Sequence, residues 1–259
     1  MDTKVFMPAD YLSKLWRALI EFNMLQEGDK VFIGLSGGKD SMFLTAALAE
    51  AQRHAPFHFE LACYTVDTMF SSDFPARELA DFCAAYGLPH YHEQVNVMEA
   101  WHNRGNTPCF TCAYFRRAAT NRKAVELGFN KIALAHHNDD AVETFLLNLL
   151  TSGQLKTFLP VTYLTRSKLS VLRPLLYYRE SEVRLYGQAI GLKPLKNPCP
   201  YDGHTKRQEM KELITKLDSI SPGVYEHLAA AMREADQELW PSKPEQTNML
   251  KLFRHFWQK

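Results

Sequence analysis

Long hydrophobic runs are missing from this sequence, and so are a cysteine framework and low-complexity tracts. Its apolar stretches, such as residues 145–147, fall far short of the roughly 18 residues that a membrane span needs. Residues 1–10 contain no basic stretch leading into an apolar one, so no export signal is expected. Twelve glycines and 13 prolines in 259 residues are too few for a low-complexity chain. Five cysteines, an odd number in so long a chain, do not make a disulfide framework. Reduced thiols in a cytoplasmic protein are expected instead, which raises the question of metal or redox chemistry. What is present, 46% hydrophobic and 23% charged residues, is an ordinary globular composition that can bury a core without staples.

The net charge of +1 conceals an asymmetry along the chain. Residues 1–103 carry 7 Lys/Arg against 14 Asp/Glu, residues 104–211 carry 17 against 8, and residues 212–259 carry 6 against 7. The middle segment, at +9, could form an electrostatic footprint for a polyanion, with Arg116, Arg117, Arg122 and Lys123 on one helical stretch. A solvated basic face is the competing reading.

Apolar spacing predicts an amphipathic helix over residues 10–22, then a short strand over 30–36 that runs into SGGKDS, then a helix over 42–53. A strand over 61–66, a helix over 75–86 and a strand over 90–97 continue the alternation of a doubly wound parallel sheet. Residues 105–108 interrupt it. A helix over 112–127, a strand over 131–135 and a helix over 139–150 follow, and the sheet is expected to end near Pro174. Further helices are expected over 179–190, over 205–218 with Thr205 and Gln208 as a capping box, and over 222–238 with Ser221 as cap and Pro222 in the first helical position. The tail from Pro241 reads as one terminal helix. These elements divide the chain into an N-terminal helical segment (1–28), a nucleotide-binding α/β domain that includes the cysteine site (29–200) and a C-terminal helical segment (201–259).

Ser36, Gly37, Gly38, Lys39, Asp40 and Ser41 lie where a strand ends and a helix begins, the place where backbone NH groups and the helix dipole converge on an anion. The dinucleotide fingerprint GxGxxG and the GxxxxGK[ST] phosphate loop are both absent. Further on, AHHNDDAVET joins a strand end to a helix start. Its two acids could merely complement the helix dipole. Beside a triphosphate they could instead hold Mg²⁺, a hard cation that takes one or two carboxylates together with phosphate oxygens. Cys109 and Cys112 form a CxxC at the edge of the basic helix, and Cys199 lies in NPCPYDGHTKR. Three cysteines suit an iron–sulfur cluster with one open iron, or a Zn²⁺ site that recruits His204, or a redox pair. Cys63 and Cys83, in a strand and a helix, read as packing residues. Arg173 in VLRPLL reads as a snorkelling arginine or as part of a site, and Tyr163, Tyr177, Tyr178 and Tyr186 read mostly as packing, with base stacking the alternative.

SGGKDS after a strand resembles the PP-loop of N-type ATP pyrophosphatases, which split ATP between the α and β phosphates. AHHNDDAVET resembles the HxxDDxxET motif of PP-loop enzymes that act on tRNA. Taken with the CxxC, the late cysteine and the Gly203-x-Thr205-x-Arg207 segment, these strings resemble the tRNA 2-thiocytidine synthetase family over residues 30–211. The resemblance implies an ATP site of Leu35, Ser36, Gly37, Gly38, Lys39, Asp40, Ser41, Val66 and His136. It implies catalytic roles for Lys39, Asp40 and Asp140, with Mg²⁺ on Asp40 and Asp140, and a [4Fe-4S] cluster on Cys109, Cys112 and Cys199. Arg116, Arg117, Arg122, Lys206 and Arg207 are the candidate RNA contacts. The implied activity is ATP-dependent thiolation of a tRNA pyrimidine, most readily 2-thiocytidine formation, in which the base oxygen is adenylated and then replaced by sulfur. The implied partners are tRNA and a sulfur donor such as a cysteine desulfurase or free sulfide, with a homodimer left open and no membrane. A cluster-free persulfide thiouridylase, a cluster-dependent thiobase desulfidase and a non-catalytic zinc-stapled RNA-binding module are the alternatives.

Overall fold

The computed structural model describes residues 7–70, 73–97, 99, 108–195 and 206–233. Its strands are β1 (Lys30–Gly34), β2 (Glu60–Asp67), β3 (His90–Gln94), β4 (Lys131–Ala133), β5 (Val161–Leu164) and β6 (Leu169–Leu172). The helices are α1 (Ala9–Glu21), α2 (Lys39–His54), α3 (Ala76–Ala85), α4 (Pro108–Glu126), α5 (Asn138–Ser152), α6 (Glu180–Ala189), α7 (Lys206–Ile220) and α8 (Val224–Ala231). The strands form one sheet in the order β3-β2-β1-β4-β6-β5.

Five strands run parallel, and β5 pairs antiparallel with β6. The doubly wound α/β class therefore holds, with an antiparallel hairpin at one edge that the apolar pattern does not reveal. β1 lies between β2 and β4, so the strand order reverses at the β1/β4 seam, where Val31, Phe32 and Ile33 face Lys131, Ile132 and Ala133. In open α/β sheets ligands bind outside the carboxyl ends of the strands at such a reversal. SGGKDS leaves β1 and AHHNDD leaves β4 at that rim.

The two faces of the sheet bury different sets of residues. On one, Val31, Ile33, Leu61 and Cys63 pack with α1, α2, α3 and α6 through residues such as Leu15, Phe43, Leu79, Cys83 and Val183. On the other, Phe32, Ala62, Tyr64 and Ile132 pack with Ala124 of α4. Strand side chains alternate in direction, which sends Val31 and Ile33 to one face and Phe32 to the other. Eleven residues of α2, Ser41 through Ala51, are buried, so this helix is fixed on all sides and its N-terminus is a rigid mount. A third cluster joins Val142 and Leu146 of α5 to Ile214 of α7 and Tyr225 of α8.

β1, β3 and β4 end two or three residues earlier than expected, and three helix starts differ from expectation by two residues or more. α2 begins at Lys39, three residues earlier than predicted, directly on the glycine pair. α4 begins at Pro108, so Cys109 and Cys112 stand one turn apart inside the helix. α8 begins at Val224 and not at Pro222: Gly223, at φ +89°, precedes it, and Gly223 N donates to Asp218 Oδ1 at 3.0 Å. That left-handed conformation excludes Gly223 from a right-handed helix, so α8 cannot run on from Pro222. Thr205, residues 234–238 and the tail from Pro241 lie outside the described residues. No helix among the described residues is long and apolar enough to cross a membrane.

Candidate ATP site at the sheet reversal

The SGGKDS loop is folded around one hydroxyl. Ser41 Oγ accepts from Ser36 N at 3.1 Å, lies 3.1 Å from Ser36 Oγ and donates to Gly38 O at 3.0 Å. Gly37 sits at φ +81°, a left-handed conformation that favours glycine, and a Cβ there would lie at ordinary contact distance from Leu195 and Leu79. Gly38 caps α2 in an extended conformation without any side-chain hydrogen bond to the first turn. The first amides of this buried helix are therefore presented to whatever enters the loop, the arrangement that binds phosphate. Leu35, which enters the loop, is buried and tied to β2: Leu35 N donates to Tyr64 O at 2.9 Å and Leu35 O accepts from Thr65 Oγ1 at 2.8 Å. Val66 follows at the carboxyl end of β2, half-buried against the Phe32 cluster.

Lys39 and Asp40 occupy the first turn of α2 as a pair, with Lys39 Nζ 3.0 Å from Asp40 Oδ2. The other carboxylate oxygen, Asp40 Oδ1, is buried without a hydrogen-bond partner among the described residues. Lys39 Nζ also lies 3.1 Å from Glu180 Oε1. Burial alone would lower the Lys39 pKa, but the two carboxylates outweigh it and raise it, so the ammonium is held charged.

Across the β1/β4 seam, His137 caps α5. Asp140 N donates to His137 Nδ1 at 3.4 Å, and His137 N donates to Asp140 Oδ2 at 3.0 Å, a reciprocal capping box. His137 Nε2 lies 3.8 Å from Asp40 Oδ1. His137 Nδ1 also lies 3.6 Å from both Asp139 Oδ2 and Asp140 Oδ2. One buried histidine thus stands between the acids of the two motifs, and it is a site residue that the string AHHNDD does not single out. His136, half-buried, packs its ring 5.0 Å from Phe158.

The two adjacent acids do different things. Asp139 accepts from Glu180 N at 2.7 Å and from Arg179 Nε at 3.3 Å, so it fastens α6 to α5. Asp140 is the reciprocal cap partner of His137. Glu180 links the loop lysine to Lys211 of α7, with which it forms a close ion pair, and to Arg184, 3.1 Å away. Leu195 N donates to Gly37 O at 2.9 Å, so the chain leaving α6 returns to the glycine turn. Neither Glu180 nor Leu195 stands out in sequence, because each meets the loop from more than 100 positions away. An acid in the first turn of a helix was the one available signal for Glu180.

The cysteines and basic residues are less fully placed. Cys112 is half-buried on α4, Cys109 lies one turn before it with its side chain outside the described residues, and Cys199 lies outside them altogether. Positions three apart share a helix face, which suits two ligands of one metal group. Among the described residues no group of three or more His, Cys, Asp or Glu is arranged to hold a metal. Cys63 and Cys83 are both fully buried, the packing role expected of them, and the Cys83 contact together with burial pushes the Cys63 thiol up. Arg116 and Arg117 are exposed on α4, Arg117 Nε donating to Ala113 O at 3.0 Å, while Arg122 is paired with Glu93. Lys206 and Arg207 open α7, their side chains outside the described residues. Arg173 donates to Leu159 O at 2.6 Å and to Thr162 Oγ1 at 3.0 Å, pinning the β5–β6 edge. Tyr178 is buried, its hydroxyl donating to Tyr11 O, and Tyr163 is exposed.

Residues 12–217 match the PP-loop domain family ATP_bind_3. The chain is 36% identical over 220 residues to the tRNA-cytidine(32) 2-sulfurtransferase of Pasteurella multocida, covering 83% of this chain and 70% of that protein. It is 35% identical over 240 residues to the enzyme of the same name from Alcanivorax borkumensis, covering 90% and 82%. The fold is shared with the U34-tRNA thiolase NcsA of Methanococcus maripaludis, solved with its [4Fe-4S] cluster, at a TM-score of 0.72 and 23% identity over 90% of this chain and 82% of that one. With its glycine turn at the β1/β4 reversal and its HHNDD cap across the seam, the chain belongs to the tRNA-cytidine(32) 2-sulfurtransferase family of PP-loop proteins.

Proposed function

We propose that this chain is an ATP-dependent tRNA sulfurtransferase that forms 2-thiocytidine. The observation that carries the reading is the uncapped N-terminus of α2 directly behind the SGGKDS turn, with Lys39 at its mouth and a buried, unpartnered Asp40 oxygen beside it. The amides of that first turn would receive the phosphates of ATP, and Lys39 would offset their charge. The base carbonyl oxygen attacks the α phosphorus, the bond to the bridging oxygen breaks and pyrophosphate leaves. The oxygen, a poor leaving group before this step, now departs as AMP when a sulfide equivalent attacks the same carbon. His137 fixes the Asp140 carboxylate through its cap geometry and stands between it and Asp40, with Nε2 3.8 Å from Asp40 Oδ1. A carboxylate oxygen that is buried without a partner fits a hard cation, and Asp40 with Asp140 would hold Mg²⁺.

The donor set of Cys109 and Cys112, one turn apart on α4, fits two ligands of a [4Fe-4S] cluster, with Cys199 as the third. When bound, the cluster would supply a site that carries sulfide to the activated carbon. Arg116, Arg117, Lys206 and Arg207 would meet tRNA phosphates, and a cysteine desulfurase or free sulfide would supply the sulfur. Residues 29–200 form the catalytic domain in this reading, with residues 1–28 and 201–259 as helical additions.

The test is direct. Anaerobically reconstituted protein, given ATP, Mg²⁺, sulfide and tRNA lacking the modification, should release AMP and pyrophosphate and yield 2-thiocytidine in the nuclease digest. Turnover of ATP with no thiolated nucleoside under these conditions overturns the reading.

A further inference from the structure

We propose that Glu180 is a positioning residue for Lys39, holding the loop lysine in its working direction while opposing the binding of the triphosphate. The inference rests on the ATP reading of the SGGKDS loop and assigns a role to a residue outside both motifs.

Glu180 is the first residue of α6, and its side chain is only 17% exposed. Its backbone is fixed independently of its side chain, since Glu180 N donates to Asp139 Oδ2 at 2.7 Å. The carboxylate therefore projects from an anchored position toward the nucleotide loop. There it meets three cations: Lys39 Nζ at 3.1 Å, Arg184 at 3.1 Å and Lys211. Lys39 is a long, flexible side chain, and a lysine held between Asp40 and Glu180 has lost most of that freedom before nucleotide arrives.

Electrostatics works in the opposite direction. A half-buried carboxylate beside a phosphate site repels the incoming polyanion and neutralises the cations that would attract it. Removing the charge of Glu180 leaves Lys39, Arg184 and Lys211 with less negative charge around them. Affinity for ATP should then rise while the orientation of Lys39 is lost. A residue that merely supported the fold would not give this opposed pair of effects, because loosening the loop would weaken binding and slow turnover together.

The experiment compares wild type, Glu180→Gln and Glu180→Asp. Binding of α,β-methylene-ATP with Mg²⁺ is measured by calorimetry, and AMP formation from ATP in the presence of tRNA is measured at saturating ATP, with thermal melting to confirm that each variant is folded. Glu180→Gln should bind the analogue several-fold more tightly and form AMP about tenfold more slowly. Glu180→Asp, which keeps the charge on a shorter stem, should return the affinity to the wild-type value but only part of the rate. Weaker or unchanged binding by Glu180→Gln, or an unchanged rate, overturns the proposal. If wild type binds the analogue but forms no AMP, the sulfurtransferase reading fails by itself, and the affinity comparison still decides whether Glu180 opposes phosphate binding.

Discussion

Tyr225 Oη donates a 2.7 Å hydrogen bond to Asn138 Oδ1, joining α8 to the first residue of α5 across 87 positions. Asn138 Nδ2 in turn donates to Leu176 O at 2.8 Å, and the Tyr225 ring lies under the Arg179 guanidinium, 3.2 Å from the ring centre. The HHNDD turn is thereby braced by the C-terminal helices. Tyr225→Phe keeps the ring and the cation–π contact and loses one hydrogen bond, so it should cost about 1 kcal/mol in urea unfolding. Asn138→Ala strands both Tyr225 Oη and Leu176 O and should cost more.

Lys39→Ala and Asp40→Ala should each lower AMP formation about 100-fold or more, the scale of losing one transition-state charge partner. Iron content should be unchanged in both, because neither residue belongs to the cysteine site. Pyrophosphate release at the wild-type rate would contradict the placement of ATP at this loop.

Substituting Cys109, Cys112 or Cys199 singly by alanine should remove iron and thiolation together. Cys63→Ala and Cys83→Ala should keep both and lose about 1 kcal/mol of stability through packing. Iron and zinc analysis of protein prepared without oxygen separates the outcomes: stoichiometric zinc without iron would point to a structural metal, and neither metal to a persulfide route.

RNA affinity should fall steeply with salt, as counterions are released from the phosphates. Arg116→Glu with Arg117→Glu should weaken binding and reduce the slope of log K against log salt by about 2, one for each arginine that no longer meets a phosphate. Arg122→Ala should have a smaller effect, since that guanidinium is already paired with Glu93. A salt-independent affinity would make α4 a solvated face.

The Glu180 carboxyl also predicts an acid dependence. Burial alone would raise its pKa, but Lys211 and Lys39 outweigh that and hold it down to about 2, against 4.5 for the free side chain. A folded-state pKa below the unfolded value contributes stability that is complete above pH 4.5 and fades as pH falls toward 2. Glu180→Gln should therefore cost about 2 kcal/mol at pH 7 and progressively less in acid. Urea titrations of both proteins at pH 7 and pH 3 that differ by the same amount would contradict this.

Much of the α/β core is legible in sequence because α1 and α3 each show a buried stripe and β1 and β2 are short apolar runs bounded by turns. The β5–β6 hairpin is not. Its strands are four residues each, joined by a turn that holds Arg166 and Lys168, and Lys168 takes a left-handed φ of +56° that no sequence preference demands. The loop strings identify where phosphate chemistry sits, since SGGKDS and HHNDD are local. The residues that complete the site are not local: His137 takes its meaning from Asp40, and Glu180 from Lys39. Pairings of that length are set by strand order, which the apolar pattern leaves open.

The hydrogen bond from Leu195 N to Gly37 O makes one backbone amide a reporter for the nucleotide loop. Gly37 is buried and the Leu195 side chain packs beside it, so this amide exchanges with solvent when the contact between the turn and the chain beyond α6 opens. Deuterium uptake at Leu195 therefore reads the opening equilibrium of this contact in the intact protein, without a label, a substitution or turnover. Its slowing on addition of nucleotide would register the tightening of the glycine turn against a residue that lies beyond α6, on the stretch of chain that leads toward Cys199.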